Sequence, residues 1–364
     1  MNAELHGAAR EVLAVESLAG RLEGAFLADP VLGRIWRRHT SIVEACRSVS
    51  LEDIRVTETD VVLRAYENAA TSAETARGIW MASAIKAVLD APGSAGRMTP
   101  DTLARFYDFD ETPDARSVPV AEAASLCAQI DAHVAAWRHV PVVAGLRAAA
   151  DVRAATGGAR PAAERLVMMW VDHGLRSGEA RAGWILMPAR ALSDSGFRAW
   201  SPGTVKGARD LLAGQERVLS RDIGALALLR RWHDKAREVA ATRHGRSCMP
   251  DLVEMLTDTP IVTAGAVSQR LGVTGRTGRN LIAAAVENGI LAEVTRRQTY
   301  RAWATPVLAG AMESRVAGAR SLPAAPQDAR SQSETEAFAM LDKALAQADD
   351  LLDAIGKGRT RPGA

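Results

Sequence analysis

The chain has 364 residues, 48% hydrophobic and 24% charged, with 45 Lys and Arg against 43 Asp and Glu and a net charge of +2. This is ordinary globular composition with ample material for a core, and the length suits two or three domains. The near-neutral balance excludes an overall basic character, so any nucleic-acid function must rest on a local patch. Cys46, Cys127 and Cys248 lie far apart, which excludes the spacing of a zinc site or redox pair and suits a reducing cytoplasm. Met1 to Gly20 carries Glu4, Arg10, Glu11 and Glu16 among apolar positions and reads as an amphipathic helix rather than a signal peptide. No apolar run approaches the roughly 18 residues of a membrane span. Alanine, leucine and arginine favour helix, so a mostly α, cytoplasmic protein is expected. Most of the eight tryptophans are expected to be core anchors.

Residues 3 to 28 show helical periodicity through Leu5, Val12, Val15, Leu18, Leu22 and Phe26, broken at Asp29-Pro30. A second helix is expected over 31–48, a third over 57–69 with Thr57 as N-cap and Asp60 three residues on, and a fourth over 73–89. Residues 91–96 form a loop. Thr99-Pro100-Asp101 starts a short helix with proline at its first position. The acidic stretch 107–119 reads as a linker or surface loop. Helices follow over 120–137 and 141–154, then Gly157-Gly158. Residues 161–173 form a helix apolar on nearly every side, hence central. One or two Arg-rich helices fill 203–244, and another spans 247–257. Residues 318–333 have linker composition. The last helix is expected over 334–355, and the tail 357–364 is basic.

The most informative stretch is 260–303. Thr263 caps a short helix over 264–271, ended by Gly272. Val273 and Thr274 make a turn, with Val273 plugging the space between two crossing helices. A second helix covers 275–287 and stops at Asn288-Gly289. Ala266, Val267 and Leu271 are expected to pack against Leu281, Ile282 and Ala285, as a helix-turn-helix requires. Arg276, Thr277, Arg279 and Asn280 then lie on the exposed early part of the second helix, where base-reading side chains belong. Arginine can pair bidentately with guanine, and asparagine with adenine. Ile290–Thr295 and Thr299–Trp303 alternate as a hairpin around Arg296, Arg297 and Gln298, a basic wing that would lie along phosphates, with Arg301 on its returning arm. Six arginines against two glutamates in 260–303 give a local +4, concentrated where the motif needs it.

Three stretches carry a resemblance: AGAVSQRLGVTGRTGRNLIAAAVENGILAEVTRRQTYRAW, RRHTSIVEACRSVSLEDIRVTETDVVLRAYENA at 37–70, and VPVVAGLRAAADVRAA at 140–155. They resemble an uncharacterised family of helix-turn-helix proteins of alpha-proteobacterial plasmids and mobile elements. The resemblance spans about residues 10 to 305 and is closest at the hairpin Thr295–Trp303. It implies a helical N-terminal region followed by a winged helix, in a DNA-binding regulator. The layout also resembles Fic-type nucleotidyl transferases. Those need a His-led, Gly-rich phosphate loop, whereas ATGGARPAAER at 155–165 has no histidine and no Asn-Gly pair. Ser48-x-x-x-Glu52-Asp53 resembles the inhibitory motif of that group. The resemblance implies at most a helical body of related shape without the chemistry.

Elsewhere, His133 and His139 have the wrong spacing for one helix face. His173 is expected at a helix end, where positive charge suits the dipole. His233 belongs to a solvated Arg-rich helix. No metalloprotease, nucleophile-elbow or P-loop motif occurs, so no catalytic, metal or cofactor residue is expected. Phe338, Leu341, Leu345, Ala348, Leu352 and Ile355 repeat as a heptad seam, either a homodimer contact through 338–355 or a helix folded on the body. The expected organisation is a helical region 1–110, a helical domain 111–246, a winged helix-turn-helix 247–310, a linker 311–333, an amphipathic helix 334–356 and a basic tail 357–364. The leading expectation is a sequence-specific regulator that binds double-stranded DNA. The alternatives are a Fic-like transferase with an unrecognised site and a winged-helix docking scaffold.

Overall fold

Several helices begin at a side-chain cap, at Asp29, Thr57, Thr99, Thr204, Thr263 and Thr274. The computed structural model describes residues 7–67, 72–90, 98–110, 120–176, 184–194, 202–242, 247–295 and 299–318. Helix α1 (Ala9–Ala28) turns Val12, Val15, Leu22 and Phe26 inward. Asp29 then accepts from the Leu32 N–H at 3.0 Å and Pro30 opens α2 (Pro30–Ser50). Helix α3 (Glu58–Glu67) starts with a reciprocal capping box. The Asp60 N–H donates to Thr57 Oγ1 at 3.2 Å, and the Thr57 N–H donates to Asp60 Oδ2 at 3.0 Å. Helix α4 (Ala73–Asp90) follows, and Thr99 caps α5 (Pro100–Tyr107), which ends in a single 3-10 turn, Asp108–Asp110.

Helices α6 (Val120–Ala136), α7 (Pro141–Thr156) and α8 (Pro161–Arg176) form the centre of the body. As its apolar run predicts, α8 is buried from Ala162 to Met169 and again from Val171 to His173. His173 does not end a helix as expected: α8 continues to Arg176, and the fully buried imidazole lies 4.5 Å from the Trp184 ring centroid. The short α9 (Pro188–Asp194) leads to α10 (Val205–Ala241), a single uninterrupted helix of 37 residues where the sequence allowed one or two. At 1.5 Å per residue it is about 55 Å long.

Charges inside the body are paired, because an ion stripped of water without a partner is costly. Glu44 accepts the Ala189 and Arg190 N–H groups, each at 2.8 Å, and Arg190 grips Asp222 with two bonds of 2.8 and 2.7 Å. Arg176 joins Asp172 at 2.8 Å to Glu16 at 2.6 Å. Arg165, 2% exposed, donates to the Ser48 hydroxyl and carbonyl and to Glu52 at 2.7 Å. The pattern Ser48-x-x-x-Glu52 thus closes on an arginine of α8.

The C-terminal elements are α11 (Met249–Asp258), β1 (Ile261–Thr263), α12 (Ala264–Leu271), α13 (Gly275–Glu287), β2 (Ala292–Glu293), β3 (Ala302–Ala304) and α14 (Pro306–Gly318). The strands form an antiparallel sheet in the order β1-β3-β2, with Val262 opposite Trp303 and Glu293 opposite Trp303 on its other side. This arrangement is consistent with a winged helix. Strand β1 was not anticipated, and the predicted strands 290–295 and 299–303 are shorter. The Ile290 and Leu291 N–H groups still bond the Ala285 carbonyl, at 2.8 and 3.3 Å, and Tyr300 adopts a left-handed backbone with φ 57°.

Two compact units divide the chain, Met1–Met312 and Glu313–Ala364. In the first the apolar core is continuous across positions 110 and 246, where the sequence suggested boundaries. It includes Trp36, Trp184, Trp232 and Trp303, whereas Trp80 is 56% exposed. Of the second unit only the end of α14 is described. The loop 91–96, most of the acidic stretch 107–119, the wing turn 296–298, the linker, the amphipathic helix with its seam 338–355 and the basic tail lie outside the described residues.

Candidate nucleic-acid interface

Thr263 takes extended backbone and its hydroxyl accepts from the Ala266 N–H at 3.0 Å, opening α12 at the predicted residue. Gly272 closes α12 in the left-handed region at φ 64°, and the Val273 N–H reaches back to the Ser268 carbonyl at 3.0 Å. Thr274 is more than a turn residue: its hydroxyl accepts from the Thr277 N–H at 3.2 Å and caps α13.

The two helices meet as predicted through Ala266, Val267, Leu281, Ile282 and Ala285, all buried, with Leu271 partly so. Val273 is only half-buried and does not fill the crossing. The closest approach is at Gly278. A β-carbon there would lie 2.4 Å from Ser268 Oγ and 3.3 Å from the Ala264 carbonyl oxygen. Ser268 is held in place by donating to that same carbonyl at 2.8 Å. Glycine at 278 is therefore what lets α13 cross α12 at this distance.

Arg276, Thr277, Arg279 and Asn280 are all exposed on the first turns of α13. The structure brings these four together on one surface. The Thr277 hydroxyl lies 2.9 Å from that of Thr274 and shares a hydrogen bond with it. Arg301 differs from expectation. Its guanidinium binds the Glu293 carboxylate through two bonds, one of them 2.7 Å, and stacks 5.1 Å above the Trp303 ring. The bond lowers the Glu293 pKa and raises that of Arg301. Arg270 likewise donates to the Thr259 hydroxyl at 3.0 Å. The local sum of +4 already includes Glu293, so these contacts hold Arg301 and Arg270 in place without lowering it. The base of the wing is fixed by the Ala302 N–H donating to Thr295 Oγ1 at 2.9 Å and the Val294 N–H donating to the Ala302 carbonyl at 3.0 Å. Arg296, Arg297 and Gln298 lie outside the described residues.

Residues 249–305 match the family of HTH DNA-binding domains. The match covers α11 through β3 with its helix-turn-helix, and the chain is a DNA-binding protein on that ground. No curated protein matches the chain.

The HTH DNA-binding domain is mounted on the body by contacts that sequence reasoning missed. The Trp232 indole N–H of α10 donates to the Ile290 carbonyl at 2.9 Å, and His39 Nε2 of α2 lies 3.1 Å from Thr305 Oγ1. Arg34 pairs with Glu254 at 3.2 Å and Arg38 with Asp258 at 3.6 Å. Helix α3 packs on β1, β3 and α12. The buried His39 and Trp232 could have been suspected only as polar-capable residues on otherwise apolar helix faces. Elsewhere, His133 pairs with Asp151 at 2.8 Å and His139 accepts from Arg138 at 2.8 Å. Among the described residues no group of three or more His, Cys, Asp or Glu could hold a metal ion, and no helix is long and apolar enough to cross a membrane.

Proposed function

We propose that the chain is a sequence-specific regulator of transcription that binds double-stranded DNA, acting in the bacterial cytoplasm on a plasmid or other mobile element, and that it is not an enzyme. The observation that carries this reading is the free face of α13. Arg276, Arg279 and Asn280 project from its first two turns beside a hairpin wing, the position from which a recognition helix reaches base edges in the major groove. Arg276 and Arg279 would read guanine, Asn280 would read adenine, and the Thr277 side and the wing residues Arg296 and Arg297 would hold phosphates. Gln298 would add a polar contact to the DNA. The heptad seam at 338–355 supports a homodimer on a palindromic site.

The test is fluorescence anisotropy of the full chain against duplex fragments, including its own upstream region, across a salt series. Tight binding that falls steeply with salt and prefers one fragment is expected. Absence of binding at low salt would overturn the regulator reading and leave the HTH domain as a docking scaffold.

A further inference from the structure

The returning arm of the hairpin holds an aromatic residue in a backbone conformation it does not favour. Tyr300 is left-handed at φ 57° and 47% exposed. The one other described residue besides glycine with a positive φ is Asp53, of a type that enters this region more readily than an aromatic does. Glycine would escape the clash of the β-carbon altogether. The Tyr300 hydroxyl makes no hydrogen bond with any described residue.

The strain has a visible effect. Ala302 and Ala304 are fully buried, and the alternation of a regular strand would put residue 300 on their side. The left-handed turn breaks that alternation just before the strand pairing is fixed. From there the arm is held firmly. The Ala302 N–H donates to Thr295 Oγ1 at 2.9 Å, and the Ala302 carbonyl accepts from Val294 at 3.0 Å. Arg301 is bound by Glu293 and lies over the Trp303 ring. The phenol of Tyr300 therefore stands clear of a rigid arm. Neither burial nor a hydrogen bond within the described residues offsets its strain. A strained residue that the fold does not need points to a contact outside the chain.

Its place says which contact. The hairpin leaves the end of α13 at Ile290, whose N–H bonds the Ala285 carbonyl at 2.8 Å. Tyr300 follows Arg296 and Arg297 by four and three residues. A hairpin beside a recognition helix meets the sugar-phosphate backbone, and tyrosine hydroxyls are among the donors that phosphates accept. A phenol can donate to a phosphate oxygen without adding a charge.

We propose that Tyr300 is a sequence-independent contact with duplex DNA. Its hydroxyl donates to a phosphate oxygen, and its ring lies against the neighbouring deoxyribose. The proposal rests on the reading of the chain as a regulator that binds double-stranded DNA.

The experiment is anisotropy of the full chain and of Tyr300→Gly, Tyr300→Ala and Tyr300→Phe, against the preferred and an unrelated duplex, across a salt series, with a thermal melt of each. The Gly and Ala variants are expected to bind both duplexes about fivefold more weakly than the parent. Their preference between duplexes and their slope of log affinity against log salt stay as in the parent, because an uncharged donor releases no counterion. Tyr300→Phe falls between them and the parent. Tyr300→Gly melts above Tyr300→Ala, since glycine alone is relieved of the strain. A Tyr300→Gly chain that binds as tightly as a tightly binding parent overturns this contact and leaves the regulator reading standing. A loss that comes with a slope shallower by about one unit also overturns it, because a wing arginine would then have been displaced. Tyr300→Phe binding like the parent overturns the role of the hydroxyl, and equal melting of the Gly and Ala variants overturns the strain. A parent that binds no duplex at low salt overturns both the contact and the regulator reading.

Discussion

His39 Nε2 and Thr305 Oγ1 meet at 3.1 Å across 266 residues of sequence, and both side chains are buried. One belongs to the body and the other follows the last strand of the HTH domain. Replacing His39 with alanine strands the threonine hydroxyl and opens a cavity beside Trp232. A loss of about 1–3 kcal/mol is expected from the unmet hydrogen bond alone. Urea unfolding of the variant checks this, and a midpoint unchanged from the parent chain would show that the contact carries no stability.

A pH series of melting temperatures should reveal two buried groups acting in opposite directions. Burial lowers the His39 pKa from 6.5 to about 3. The unfolded chain takes up a proton that folded His39 refuses, so its contribution is present above pH 6.5 and is lost as pH falls toward about 3. Asp172 is the converse. Burial raises its carboxyl from 3.8 to about 7 against the pull of Arg176. Its contribution is present below pH 3.8 and is lost as pH rises through about 7. His39→Gln should flatten the acid side of the profile and Asp172→Asn the neutral side. Unchanged slopes in either variant would count against the corresponding assignment.

At the helix crossing, Gly278→Ala forces Ser268 from its bond to the Ala264 carbonyl. A cost of about 1–3 kcal/mol is expected for this overpacking, with a matching loss of duplex affinity as α13 shifts. Adding Ser268→Ala removes the clashing oxygen, so the double variant should recover most of the stability. Thermal melts of the single and double variants decide it, since failure to recover would place the strain elsewhere.

The recognition face and the wing should separate in DNA binding. Arg276→Ala is expected to relax sequence preference at the base pair it reads, at a cost of about 1–3 kcal/mol on the preferred duplex. Arg297→Ala should weaken all duplexes about equally. Anisotropy with matched and altered duplexes tests both, and an unaltered base preference in the Arg276 variant would remove its reading role.

The pairing of Arg301 with Glu293 supplies a gain-of-binding prediction. Glu293→Gln frees the guanidinium to face phosphate, so non-specific affinity should rise and the slope of log affinity against log salt should steepen by about one unit. If the slope stays constant, Arg301 is directed away from the backbone.

The helix-turn-helix was legible in the sequence because its boundaries are set by local chemistry. Thr263 and Gly272 each act within a few residues, and both sit at the predicted ends of α12. The need for glycine at 278 was not legible, since it is imposed by Ser268 on the other helix. Strand β1 has three residues, all buried, and such a run has no alternation to betray it. The pairing of Arg301 with Glu293 was not legible, because the partner lies across the hairpin, eight residues away. The contacts of Trp232 and His39 span 58 and 266 residues, a range at which periodicity carries no information.

The long α10 lends the HTH domain its Trp232, and α11 rests on both α10 and α2. A fragment cut at residue 249 would leave the Ile290 carbonyl and the inner faces of Leu252 and Leu256 without their cover. The reader of DNA in this protein is therefore no cassette to be transplanted onto another carrier. Exchange among relatives would have to move it together with the end of α10 and the face of α2 that supports it.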